Sequence, residues 1–136
     1  MTGSTGAKVM ITVGVEGLAE MTVSTQDTAI AWSSGDVPVL GTPRLLALLE
    51  EATCDAIRGL LPQSHTSVGT GVEIKHRRST PVGAHVVASA RVIEVDGARI
   101  IFEVAADHRT ASGDEVAGVA HGRITRSVVE RATFGA

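Results

Sequence analysis

Three side chains in this 136-residue chain could perform base-assisted chemistry: the hydroxyl of Thr42, the carboxylate of Glu50 and the imidazole of His76. Each also has an ordinary structural explanation. Thr42 precedes a helical run and suits the N-cap, where its oxygen would accept a backbone N–H. Glu50 lies within that run. With Leu46 set at zero and about 100° per residue, Glu50 falls roughly 40° away, at the edge of the apolar face. A carboxylate there is half-buried and needs a partner, and an edge pairing with Lys or Arg would serve. His76 alternates with Val72 and Ile74 on one strand face, while Glu73, Lys75 and Arg77 take the other. A histidine on an apolar face is either a satisfied core residue or a general base, because its ordinary pKa lies near neutrality.

Other candidates are weaker. Lys75, Arg77 and Arg78 form a small basic cluster, either a solvated strand face or a contact for phosphate groups. Arg123 shares a strand face with His121 and Val119, as a cross-strand partner for an acid or as an anion contact. The five histidines are scattered singly, without metal-ligand spacing, so no metal site is expected. There is no P-loop, G-x-G-x-x-G, G-x-S-x-G, C-x-x-C or H-E-x-x-H.

The positioning elements follow. Residues 1–10 read as a flexible leader and 11–136 as a single domain. A strand is expected over Leu18–Val23, a turn over Thr25–Thr28, a short extended piece over Ala29–Trp32 and a loop over Ser33–Asp36. The strongest local signal is a helix capped by Thr42, with Pro43 in its first position, running to Leu61 and stopped by Pro62. Leu49, Thr53, Ala56, Ile57 and Leu60 cluster with Leu46 on one side, and Arg44, Glu51, Asp55 and Arg58 oppose them. Four Val-, Ile- and Thr-rich segments with strand period follow: Ser67–Arg77, His85–Val95, Arg99–His108 and Glu115–Val128. Asp96-Gly97 signals a hairpin and Ala111–Asp114 another turn. This is an α+β layout, an antiparallel sheet with one long helix. One sheet face buries the helix, and a second subunit is the economical cover for the other.

Composition narrows the function. The chain carries only Trp32, Phe102 and Phe134 as aromatics, and its formal net charge is −3. A nucleic-acid binder would want a basic, aromatic-bearing face, so no nucleic-acid partner is expected. Tyrosine chemistry is impossible, and any ligand pocket must have aliphatic walls. No apolar run reaches the ~20 residues of a membrane span, and the first residues lack signal-peptide character. The single cysteine, Cys54, leans towards a reducing, cytoplasmic setting.

Three stretches together carry a resemblance: VPVLGTPRLLALLEEAT, TSVGTGVEIKHRRSTPVGAHV and VIEVDGARIIFEV, followed by the HGR of His121 to Arg123. They resemble the hotdog-fold acyl-CoA thioesterases related to fluoroacetyl-CoA thioesterase, over roughly residues 16–128. The resemblance implies a sheet wrapped around one helix and a homodimer joined edge to edge, with its site at the subunit interface. It implies acyl-CoA as substrate and no cofactor beyond the CoA of that substrate. It places the family's catalytic threonine, glutamate and histidine on Thr42, Glu50 and His76, its backbone glycine on Gly69 and its arginine on Arg123. The lid segment of the fluorine-selective relative carries phenylalanines. The matching stretch here, Asp27–Val39, is shorter and holds only Trp32.

The expected reaction is hydrolysis of a short acyl-CoA thioester. His76 would act as base on water or on Thr42, and Glu50 would orient His76, attack the carbonyl or activate water. Thr42 would be the nucleophile or position the water. Backbone N–H groups around Gly69 or at the helix start could hold the oxyanion. Lys75, Arg77 or Arg78 would line the CoA portion, with Trp32 closing over the acyl group. A non-catalytic acyl-CoA-binding module and a hotdog enoyl-CoA hydratase are the alternatives.

Overall fold

The computed structural model describes residues 10–135, so residues 1–9 of the expected leader lie outside the described residues. In chain order the elements are β1 (Glu16–Thr22), a 3-10 turn (Thr25–Asp27), α1 (Thr42–Ile57), β2 (His65–His76), β3 (His85–Asp96), β4 (Arg99–Arg109) and β5 (Glu115–Glu130). The strands form one sheet in the order β1-β3-β4-β5-β2, antiparallel at every pairing. The sheet wraps around α1, as the α+β hotdog reading implies. No helix among the described residues is long and apolar enough to cross a membrane.

The core lies between α1 and the inner sheet face. Leu45, Leu48, Leu49 and Ala52 of the helix are fully buried against Val86 and Val92 of β3, Phe102 of β4 and Ile124 of β5. Burying a large aliphatic side chain of this kind stabilises by roughly 1.5–3 kcal/mol. Between these large residues the inner strand positions Ala88, Ala90 and Ala106 are small and buried, which lets the helix lie close. Gly17 of β1 takes this furthest, since a Cβ there would strike the backbone of Ala52 and Ala56. Asp55, on the side of the helix away from Leu46, accepts the Leu18 N–H at 2.9 Å and ties β1 to the helix.

Three sequence expectations need correction. The helix ends at Ile57, not Leu61, because Arg58 leaves helical geometry and Gly59 adopts φ +78°. Its buried face centres on Leu45, Leu49, Ala52 and Ala56, about 80° round from Leu46, which is only half-buried. Segment 29–32 is a turn instead of an extended piece, since the Trp32 N–H reaches the Thr28 carbonyl and the Ala31 N–H reaches the Thr28 hydroxyl. Such side-chain bonds compete with extended pairing. The β3–β4 hairpin forms as expected, with Asp96 opposite Arg99 across Gly97 and Ala98.

Candidate active site

Thr42 opens α1 and His76 closes β2, and the fold brings these two ends together. Thr42 Oγ1 and His76 Nδ1 lie 2.7 Å apart. The expected capping role of Thr42 is not what its hydroxyl does. Gly41 is the N-cap, Thr42 is the first helical residue and Pro43 the second. The Gly41 carbonyl already accepts the Leu45 N–H at 3.0 Å, so the Thr42 hydroxyl is left for the imidazole.

Asp27 fixes this corner. Its carboxylate accepts the Ser24 N–H at 2.7 Å and pairs with Arg44 Nε at 3.1 Å, while its carbonyl accepts the Gly41 N–H at 2.9 Å. Burial works against its charge, but the Ser24 bonds and Arg44 prevail and hold the carboxyl below its ordinary pKa. The helix start is thereby tied to the 3-10 turn, and the Leu40 N–H reaches the Thr80 carbonyl at 2.9 Å beside the end of β2.

His76 is partly buried, and burial pushes its pKa below the ordinary value, with the Arg78 backbone acting weakly in the opposite direction. Its Nε2 is fully buried and makes no hydrogen bond. A buried nitrogen without a partner is uncommon and costly. With Nδ1–H donating to Thr42, Nε2 would carry a free lone pair, the state of a neutral general base. The pair opens on a cleft of about 330 Å³ whose wall includes Val37, Val39, Leu40, Arg77 and Arg78. The wall holds no aromatic side chain, but Ser34, Asp36 and Ser79 join the two arginines, so it is about half polar instead of aliphatic throughout.

Glu50 occupies a second centre. It lies eight residues beyond Thr42, about 12 Å along the helix, on the flank of the buried face. Its carboxylate stands over Gly69 of β2, where a Cβ would come within 2.8 Å of Glu50 Oε2. Gly69 is paired with Arg126 of β5, and a bulge at Thr70 follows before Gly71 resumes the ladder. Arg126 Nη1 lies 3.9 Å from Glu50 Oε2. Sequence reasoning missed Arg126. Its signal was an arginine in period with Ile124 and Val128, on the inward face of β5.

The remaining expected residues separate. Arg77 and Arg78 stay at the cleft, and Arg77 Nε donates to His121 Nε2 at 2.8 Å. Lys75 and Arg123 lie on the outer sheet face in a shallow depression with Glu73, Glu103 and His121, and the fold does not bring them to the Thr42–His76 cleft. Trp32 is 45% exposed, its indole N–H is bound to the Gln26 carbonyl at 2.9 Å, and it forms no part of the cleft wall.

The sheet wrapped around one helix is a hotdog fold, and it is shared by solved structures that include named thioesterases. A thioesterase-superfamily protein of Thermus thermophilus superposes with a TM-score of 0.77 at 25% identity, covering 90% of this chain and 86% of its own. The fluoroacetyl-CoA thioesterase FlK superposes with a TM-score of 0.78 at 23% identity, over 91% of this chain and 92% of its own. A thioesterase of Haemophilus influenzae gives 0.66 at 21% identity, over 97% and 84%. Sequence comparison with curated proteins gives no match. Residues 23–132 match the family model of the fluoroacetyl-CoA-specific thioesterase, so the chain belongs to that family and is a thioester hydrolase.

Proposed function

We propose that the protein hydrolyses short-chain acyl-CoA thioesters, with His76 as general base, Thr42 positioning it and Glu50 completing the site. The observation that carries this reading is the 2.7 Å Thr42–His76 contact beside a buried Nε2 with no partner. The imidazole takes the proton of a water in the cleft as the oxygen of that water attacks the thioester carbon. The tetrahedral oxyanion is held by backbone N–H groups near Gly69 or at the helix start. Collapse breaks the C–S bond, and His76 returns the proton to the CoA thiolate. The products are the free acid and CoA, and the proposed reaction uses no metal or other cofactor.

Glu50 stands too far along α1 to reach His76 of its own chain, which favours a homodimer. Strand β2 is a sheet edge, with Val72 near its middle 47% exposed. Antiparallel pairing of two β2 edges, centred between Gly69 and His76, would set Gly69 and Glu50 of one copy beside His76 of the other. Arg77 and Arg78 at the cleft would meet the phosphates of CoA. Lys75, Arg123 and Trp32 would reach the substrate only across such an interface or after the 28–40 segment moves. A cytoplasmic setting fits the single half-buried thiol of Cys54.

A panel of acyl-CoAs of increasing chain length, assayed by thiol release without added metal, tests the reading. Turnover highest on short chains is expected. CoA binding with no turnover on any chain would replace it with the binding-module reading, and hydration of an enoyl-CoA with the hydratase reading.

A further inference from the structure

Arg126 is a buried charge that the reaction just described does not use. Its side chain is only 9% exposed, and an arginine is rarely buried so deeply without partners. Ser67 takes two of its donors: Nε to the hydroxyl at 2.8 Å and Nη2 to the carbonyl at 3.0 Å. These bonds fix the guanidinium plane and leave Nη1 directed at Glu50, 3.9 Å from Oε2. Ser67 is uncharged, so Glu50 is the counter-ion within 4 Å among the described residues. The same Nη1 lies 3.7 Å from where a Cβ of Gly69 would stand, so the carboxylate, the guanidinium and the bare glycine meet at one spot.

We propose that Arg126, clamped by Ser67, is a positioning residue that holds the Glu50 carboxylate over Gly69. The inference rests on the hydrolase reading with Glu50 in the site. Arginine suits the task because its rigid fork is always charged and can be anchored by two donors while a third faces the carboxylate. A purely structural arginine would fill space between β5, β2 and α1, and a methionine of similar reach would replace it. A positioning arginine cannot be replaced in that way.

The test is steady-state kinetics of the whole chain on the acyl-CoA that the wild type turns over best. Arg126→Met is expected to fold, because the Glu50 carboxylate it leaves without a countercharge is 38% exposed and can be solvated. It should lose on the order of 100-fold in kcat, as a misplaced catalytic group does, with KM little changed. Arg126→Lys should recover part of the loss, and Ser67→Ala should show a smaller loss of the same kind. A folded Arg126→Met with wild-type kcat overturns the inference. Should that variant fail to fold, wild-type kcat in both Arg126→Lys and Ser67→Ala overturns it. An inactive wild type defeats the hydrolase reading instead, and the pair is then read by carbon-13 NMR of the Glu50 carboxyl, identified by its loss in Glu50→Gln. That resonance should move in Arg126→Met and move back in Arg126→Lys. An unmoved resonance overturns the inference whether or not the protein turns over substrate.

Discussion

The two ends of the candidate site hold their groups in opposite ways. At the start of α1, Thr42 and His76 form a neutral pair 2.7 Å apart, with one imidazole nitrogen left unpartnered. Two turns further on, Glu50 faces a guanidinium whose other donors are already bound to Ser67. The first end is a short hydrogen bond in a partly buried corner, where desolvation favours the neutral imidazole. The second is a longer, charged contact anchored from behind. In the proposed reaction His76 changes its protonation state, and a bond to a hydroxyl tolerates both forms. In the same proposal Glu50 stays an anion, which a fixed countercharge can hold.

The strongest way to break this contrast is at the base. His76→Ala should lower kcat by roughly 100- to 10,000-fold, the range for removing a general base. Thermal melting should shift little, because the imidazole has an unpaired buried nitrogen to lose. Wild-type turnover in this variant would remove His76 from the mechanism.

Two glycine substitutions separate fold from function. Gly17→Ala drives a Cβ into the helix backbone at Ala52 and Ala56, which cannot give way. Overpacking of this sort costs about 1–3 kcal/mol or more, so a lowered urea midpoint is expected. Gly69→Ala meets the far end of the Glu50 side chain at 2.8 Å, which can swing aside. Here the urea midpoint should stay near the wild-type value while turnover falls. The reverse pattern would show that Glu50 has no part in the reaction.

Thr42→Ala should act more gently than loss of His76, because it removes a bond that orients the base and leaves the base itself. A loss of one hydrogen bond to the imidazole corresponds to about 0.5–1.5 kcal/mol, roughly 2- to 13-fold in kcat. Thr42→Ser should keep most of the activity. A loss as large as that of His76→Ala would make Thr42 the nucleophile.

The smallest effect is on stability against pH. Burial lowers the pKa of both His76 and His108 from the ordinary 6.5. The unfolded chain therefore binds these protons first, and stability falls as pH drops from about 6.5 towards the lowered folded values. Well above 6.5 both groups are neutral in either state and contribute no slope. Replacing His108, whose Nδ1 lies 2.8 Å from the Thr80 hydroxyl, with Gln should flatten the decline seen in urea titrations below that pH. An unchanged slope would show that His108 takes up its proton alike in the folded and the unfolded chain.

Much of the fold was legible because it rests on local chemistry. Alternation of Val, Ile and Thr marked the four later strands to within one or two residues, and Asp96-Gly97 marked their hairpin. The helix was legible as an element but not in its exact seating. A wheel measures which residues share a side and does not say where that side meets the sheet. The close approach at Gly17 and the small alanines of β3 decided that, and they act across the fold. The Thr42 cap was misassigned for a related reason: a capping hydroxyl and one that seeks a distant imidazole look alike in sequence. Arg126 went unread because its partners Ser67 and Glu50 come from β2 and α1, and only strand register brings them together. Lys75 and Arg123 were legible as charges, but strand pleat sends them to the outer face.

The clasp at Asp27 has a further consequence for how this protein can change. Segment 28–40 leaves and rejoins the body at one neck, where Thr28 bridges Leu40 and Val39 bridges Pro81. Beyond that neck its residues form part of the cleft mouth, while the neck itself is fixed by the turn, the helix start and Thr80. The segment is therefore an interchangeable module. Its length and side chains can be rewritten, by drift or by design, to reshape the cleft mouth while the Thr42–His76 corner keeps its geometry.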